Sequence, residues 1–188
     1  YSRVARPERV EIQHALDSGA DGVILPQIRD AAHAAAASAL AKYPPLGTRG
    51  VGYSRTMKYG ATDDRFFAAE NRRIACHPMI ETATALAEVD AIAALPTVDG
   101  LFIGPSDLSM SRGRGAFRNS EADRADVRTV ATAARRAKKA WALPAPSDAM
   151  FALARKLGAD YVTVSDDLTA LRAGFDAGLE PARKGGKR

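Results

Sequence analysis

LDSGADGVILPQIRDAAHAAAASALAKYPP, residues 16–45, contains one whole structural unit and its punctuation. A helical pattern at about 8–18 runs into Gly19, and glycine just past a helix supplies the left-handed turn that residues with a Cβ resist. The short apolar run at 22–26 then reads as a strand, and the alanine-rich stretch at 30–42 reads as a second helix. Pro44 and Pro45 cannot continue that helix, because proline lacks an amide donor and restricts the residue before it. Residues 43–50 therefore read as a loop.

The same alternation extends in both directions. Strands are expected at 2–5, 22–26, 74–81, 100–105, 140–144 and 161–165, and helices at about 8–18, 30–42, 63–72, 83–95, 121–139, 147–157 and 168–178. Each crossing is long enough to return the chain parallel to the previous strand. Such an array either closes into an eight-stranded barrel or stays open as a doubly wound sheet. No GxGxxG or GxxxxGK[ST] phosphate loop follows a strand, which favours the barrel. The expected fold is an α/β (β/α)8 TIM barrel with about six of its eight βα units present. The chain starts inside a strand-like segment without an initiator methionine, so an N-terminally incomplete domain over 1–178 is expected, followed by a basic, flexible tail at 179–188.

Composition narrows the partners. No apolar run approaches the roughly 20 residues of a membrane-spanning helix, and YSRVARPERV lacks the layout of a signal peptide, so a cytoplasmic protein without membrane contact is expected. The single Cys76 forms no internal disulfide and reads as a buried small hydrophobe. The net charge of +5 raises nucleic acid as a partner. The excess, however, lies in Arg112 and Arg114, in the run at 135–139 and in the tail, which form no recognised module. The run at 135–139 ends a helical stretch and reads as a solvated helix end that meets the helix dipole.

Two acids occupy comparable places: Glu81 ends IACHPMIE, and Asp107 follows GLFIGPS. In a parallel barrel both lie at C-terminal strand ends, the face where barrel active sites are built. Magnesium and manganese take oxygen ligands and keep several waters, so two carboxylates plus substrate oxygens suffice for one ion. The bland alternative is that each acid caps the helix after it.

The segments LDSGADGVILPQ, KYPPLGTRGVG, MIETATAL and VDGLFIGPSDLSMSRG closely resemble the HpcH/HpaI aldolases, metal-dependent class II pyruvate aldolases, over residues 3–178. The resemblance implies cleavage or formation of a carbon–carbon bond in a 4-hydroxy-2-oxo acid, giving pyruvate and an aldehyde through a metal-bound enolate. It assigns Glu81 and Asp107 as ligands of Mg2+ or Mn2+, with Co2+ a further candidate, and Gly104, Pro105, Ser106, Asp107 and Met79 to substrate contact. Arg3 looks like the family's active-site arginine, with Arg6 as the competing choice. Asp17 matches an aspartate that orients a general-base histidine, and none of His14, His33 or His77 fits that histidine's motif. His77 shares strand parity with Glu81 and reads as a core histidine. The resemblance also implies a homo-oligomer, often a hexamer.

This chain departs from the family where Arg112 and Arg114 follow DLS, an expected bias of the mouth toward acidic acceptors, and at Ser165-Asp166-Asp167. A citrate lyase β-like acyl-CoA lyase, and a catalytically impaired barrel serving as a binding or structural protein, are the alternatives.

Overall fold

Side chains alternate between the two faces of every strand, and that alternation sorts the chain into an inner and an outer layer. The computed structural model describes residues 1–60 and 62–185. Its elements in order are β1 (Ser2–Arg3), α1 (Arg9–Asp17), β2 (Gly22–Leu25), α2 (Ala31–Ala39), α3 (Asp64–Arg73), β3 (Ala75–Ile80), α4 (Ala83–Ala87), α5 (Val89–Ala94), β4 (Gly100–Ile103), α6 (Pro105–Ser111), α7 (Glu121–Ala137), β5 (Ala140–Pro144), α8 (Asp148–Leu157), β6 (Tyr161–Thr163) and α9 (Asp167–Gly185). The six strands pair in sequence order, all parallel.

Val23, Leu25, Cys76, Ile80, Leu101, Ile103, Trp141 and Leu143 belong to the large core that also takes in α1, α2, α5 and α7. The alternate positions Ile24, Met79, Phe102 and Ala142 form a separate inner cluster, with Tyr161 against it. The sheet curls into a half-barrel around that cluster. Tyr1, ahead of β1, meets Tyr161 of β6 edge to face at 5.3 Å although their strands do not pair.

Buried charge ties the outer layer together. The Lys42 side chain is inaccessible to solvent; its ammonium donates to the Asn71 carbonyl at 2.9 Å and to the Ile74 carbonyl, and pairs with Asp99 at 2.7 Å. Asp99 also accepts the Cys76 amide at 2.8 Å, so one ion pair joins the end of α3 to the starts of β3 and β4. Burial raises the Cys76 thiol to about 12, as suits an inert core residue.

Three expectations need adjustment. The helix at 83–95 is two helices, because the backbone breaks at Glu88 (φ −103°, ψ 16°). The strand expected at 100–105 ends at Ile103, and a helix not expected there, α6, begins at Pro105, whose fixed φ suits the first helical position. The cations at the end of α7 are bound within the fold rather than only solvated. Arg136 pairs with Asp90 at 2.9 Å, Arg135 donates to the Leu157 carbonyl, and Lys139 donates to the Leu95 and Val98 carbonyls. Of the tail expected at 179–188, residues up to Gly185 belong to α9 and 186–188 lie outside the described residues. The first turns of α9 expose Leu168, Leu171, Phe175 and Leu179 at helical spacing. No helix among the described residues is long and apolar enough to cross a membrane.

His77 faces inward as its parity requires. Its Nδ1 lies 2.9 Å from the Tyr161 hydroxyl, and the Tyr1 ring stands edge-on at 5.2 Å. Burial pushes its pKa down from 6.5 to about 4. The unfolded chain therefore takes up the proton more readily, so this group's contribution to stability is complete above about 6.5 and is lost as pH falls toward 4. Chemical denaturation should show a loss on the order of 2–3 kcal/mol from this group between pH 7 and pH 4. His77→Gln should flatten that part of the pH profile.

Candidate active site

β3 and β4 are neighbours, with Ile80 opposite Ile103, so the residues that follow them leave the sheet side by side. Glu81 is 3% exposed, and its Oε1 accepts the Gln27 amide at 2.5 Å. Helix α4 is capped by Thr82, whose hydroxyl accepts the Ala85 amide, so Glu81 has no capping task. Helix α6 has no side-chain cap, and Asp107 sits in its first turn. Asp107, exposed at the start of α6, lies near enough for its charge to act on the buried Glu81.

Electrostatics reflect that proximity. Burial pushes the Glu81 carboxyl above the usual carboxylate range, the Gln27 amide opposes this, the Asp107 charge adds to it, and the Arg3 guanidinium lowers it. A buried carboxyl with a second, exposed acid acting on it favours a proton or a cation on the buried one. No group of three or more His, Cys, Asp or Glu capable of holding an ion occurs among the described residues. The pair thus suits a hard ion whose remaining ligands are water and substrate oxygens, and not a closed structural site.

Gly104 makes the approach possible. A Cβ there would fall 2.5 Å from Glu81 Oε2, 2.8 Å from Glu81 Cβ and 3.1 Å from Met79 Cε. Within the triplet Gly104-Pro105-Ser106, the Gly104 amide already donates to the Ile80 carbonyl at 3.2 Å and proline has none to give. The first-turn amide of Ser106 is the donor that remains for an anion. Met79 is buried on the same inward face, and together with Ile24 and Phe102 it forms the apolar wall of a cavity of about 810 Å3. Arg3, Thr163, Ser165, Asp166 and Asp167 complete its polar wall.

The structure distinguishes the two candidate arginines. Arg3 lines the cavity and acts on Glu81, whereas Arg6 is bound to Glu11 at 2.8 Å on the outside. Asp17 is not brought to the pair within one chain. It ends α1, at the side where strands begin, and its Oδ1 binds Arg49 at 2.7 Å. Arg49, missed in the sequence, is fully buried in the loop after the prolines, with its guanidinium 4.6 Å above the Tyr43 ring.

Arg112 and Arg114 do not bias the mouth as expected. Arg114 binds Asp123 at 3.0 Å and Asp126 at 2.6 Å, and Arg112 reaches Asp126 at 3.4 Å. Both cations are neutralised by acids on α7, because those acids are buried and need partners. Gln27 also escaped sequence reading. Its backbone has φ 55°, a left-handed conformation that a glutamine does not advertise.

Comparison with known proteins bears on the family and the fold. A family model described as HpcH/HpaI aldolase/citrate lyase matches residues 3–173. A 5-keto-4-deoxy-D-glucarate aldolase of Klebsiella pneumoniae is 36% identical over 173 residues, covering 91% of this chain and 67% of that protein. A 2-dehydro-3,6-dideoxy-6-sulfogluconate aldolase of Pseudomonas putida is 45% identical over 108 residues, 57% of this chain and 42% of that protein. Among solved structures, an HpcH/HpaI aldolase from Desulfitobacterium hafniense superposes with a TM-score of 0.85 at 29% identity, covering 96% of this chain and 71% of that one. A family protein from Burkholderia cenocepacia gives 0.82 at 31% identity, covering 96% and 72%. The chain thus spans between under half and about seven-tenths of the length of these relatives.

The tight fit over Gly104 is testable. Gly104→Ala should displace the Glu81 carboxylate and weaken Mn2+ binding, read by electron paramagnetic resonance, by at least about tenfold. The accompanying loss of stability from overpacking should be about 1–3 kcal/mol.

Proposed function

The chain belongs to the HpcH/HpaI aldolase/citrate lyase family, and from that premise we propose that it is a divalent-metal-dependent aldolase cleaving or forming a 4-hydroxy-2-oxo acid at a site built on Glu81 and Asp107. The observation that carries this reading is the approach of the exposed Asp107 to the buried Glu81 after adjacent strands, with neither side chain capping a helix. The curled six-stranded sheet is read as part of a (β/α)8 barrel, supported by the superposition on family structures.

Glu81 and Asp107 would hold Mg2+ or Mn2+, with Co2+ also compatible with an all-oxygen set. Bound there, the ion supplies Lewis acidity that stabilises negative charge developing on a 2-oxo acid. Arg3, fixed by β1 on the cavity wall, offers a planar pair of donors to the oxygen that gains charge as the carbon–carbon bond breaks. The Ser106 amide faces the substrate carboxylate, and Met79, Ile24 and Phe102 exclude water from the enolate carbon. Thr163, Ser165 and Asp167, on the polar wall of the cavity, are available to an acceptor aldehyde.

Proton transfer is where a second reading gains support. No histidine contributes to the surroundings of Glu81: His77 is engaged with Tyr161, and His14 and His33 lie in α1 and α2. A positioned base contributes about 10²–10⁴-fold, so a barrel that binds metal and pyruvate but exchanges protons slowly is the alternative. The apolar stripe Leu168, Leu171, Phe175 and Leu179 supports self-association as part of the proposal.

The test is Mn2+ binding together with pyruvate methyl-proton exchange in D2O, followed by nuclear magnetic resonance. The aldolase reading expects both, with Glu81→Ala weakening Mn2+ by at least about tenfold and removing exchange. Mn2+ binding without exchange selects the impaired-barrel reading. Unchanged Mn2+ affinity in Glu81→Ala refutes the site.

A further inference from the structure

Gln27 follows β2 and Pro26, and three independent observations meet at its backbone. Its φ of 55° is a conformation that residues with a side chain adopt at a cost. Its amide reaches Oε1 of the buried Glu81 at 2.5 Å, across 54 residues of sequence. Its own side chain is exposed and makes none of these contacts.

The loop after Gln27 is fastened so that this conformation persists. The Thr82 hydroxyl donates to the Ile28 carbonyl at 3.0 Å, and the Thr84 hydroxyl donates to the Arg29 carbonyl at 2.5 Å. The Ala31 amide donates to Glu88 at 2.8 Å. Ile28 itself is wholly buried. The residues that hold the loop therefore come from the same segment, just after β3, that carries Glu81. Sterically costly backbone held by its surroundings next to a reactive group is a recurrent way of fixing geometry.

We propose that Gln27 is a positioning residue: its left-handed backbone directs its N–H onto Glu81 Oε1 and so turns Oε2 toward Gly104 and the helix that carries Asp107. Oε2 is the oxygen that a Cβ at Gly104 would strike, so the two oxygens of one carboxylate have separate duties. One is held by an amide, and the other is left for the partner acid. The inference concerns carboxylate orientation, and it rests on the aldolase reading only for its consequence for cation binding. Because the backbone and not the glutamine side chain does this, glycine and alanine at 27 should serve about as well as glutamine, and β-branched valine badly.

The test compares wild type with Gln27→Gly, Gln27→Ala and Gln27→Val in the full chain. In the metal-free protein, the readouts are hydrogen exchange of the residue 27 amide and the carbon-13 shift of the Glu81 carboxyl. In a second arm, Mn2+ affinity is measured by electron paramagnetic resonance. Gln27→Gly should keep the Glu81 signal and an affinity within about twofold of wild type, whereas Gln27→Val should lose amide protection and bind Mn2+ about tenfold more weakly. Gln27→Ala should match wild type, and if valine prevents folding this comparison carries the test, since lost amide protection and weaker Mn2+ binding in Gln27→Ala would assign the role to the side chain and overturn the proposal. Equal impairment by glycine and valine would assign the role to the side chain and overturn the proposal, as would wild-type behaviour in all three. An unprotected amide at 27 in the wild type would also overturn it. A protected amide and the expected ordering of Glu81 shifts, in a wild type that binds no Mn2+, would uphold the positioning role while the metal reading fails.

Discussion

Like charges repel most strongly where water is scarce, and the exposed Asp107 makes contact through its field with a Glu81 that is buried. Much of the surrounding architecture acts to keep that contact formed. Parallel pairing of β3 with β4 delivers both acids to one end of the sheet, and glycine at 104 removes the atom that would separate them. The Gln27 amide and the Arg3 guanidinium supply the opposing partial and full positive charge. Thr82 caps the following helix, which leaves the glutamate without a structural task.

Much of this was legible in the sequence because it depends on local rules. Glycine after a helix, an apolar run and the next amphipathic stretch fix each βα unit without long-range information, and all six strands are found where they are expected. Parity along β3 also placed His77 on the face that bears Glu81. The resemblance supplied what local rules do not, namely that Glu81 and Asp107 belong together, and it favoured Arg3 over Arg6.

The illegible parts are interactions between distant segments whose residue types have many uses. An arginine after DLS looks like a free cation until α7 folds back with the buried acids Asp123 and Asp126. Arg49 reads as a loop residue, and only the tertiary structure sets it against Asp17 and Tyr43. Left-handed backbone at a glutamine leaves no compositional trace, since the usual marker is glycine. The break between α4 and α5 is equally silent, because it occurs at a glutamate with ordinary helix propensity.

The division of the sheet into two layers has a further consequence for how such a protein changes over generations. Each inward position along a strand is flanked by outward ones that belong to the large core, so a substitution at Ile24, Met79 or Phe102 alters the cavity while its neighbours keep the scaffold anchored. Selection can therefore reshape what the cavity accepts through single codon changes, most cheaply through swaps that conserve apolar volume. Glu81, held by the Gln27 amide and by the space that Gly104 leaves, stays fixed while the cavity wall drifts.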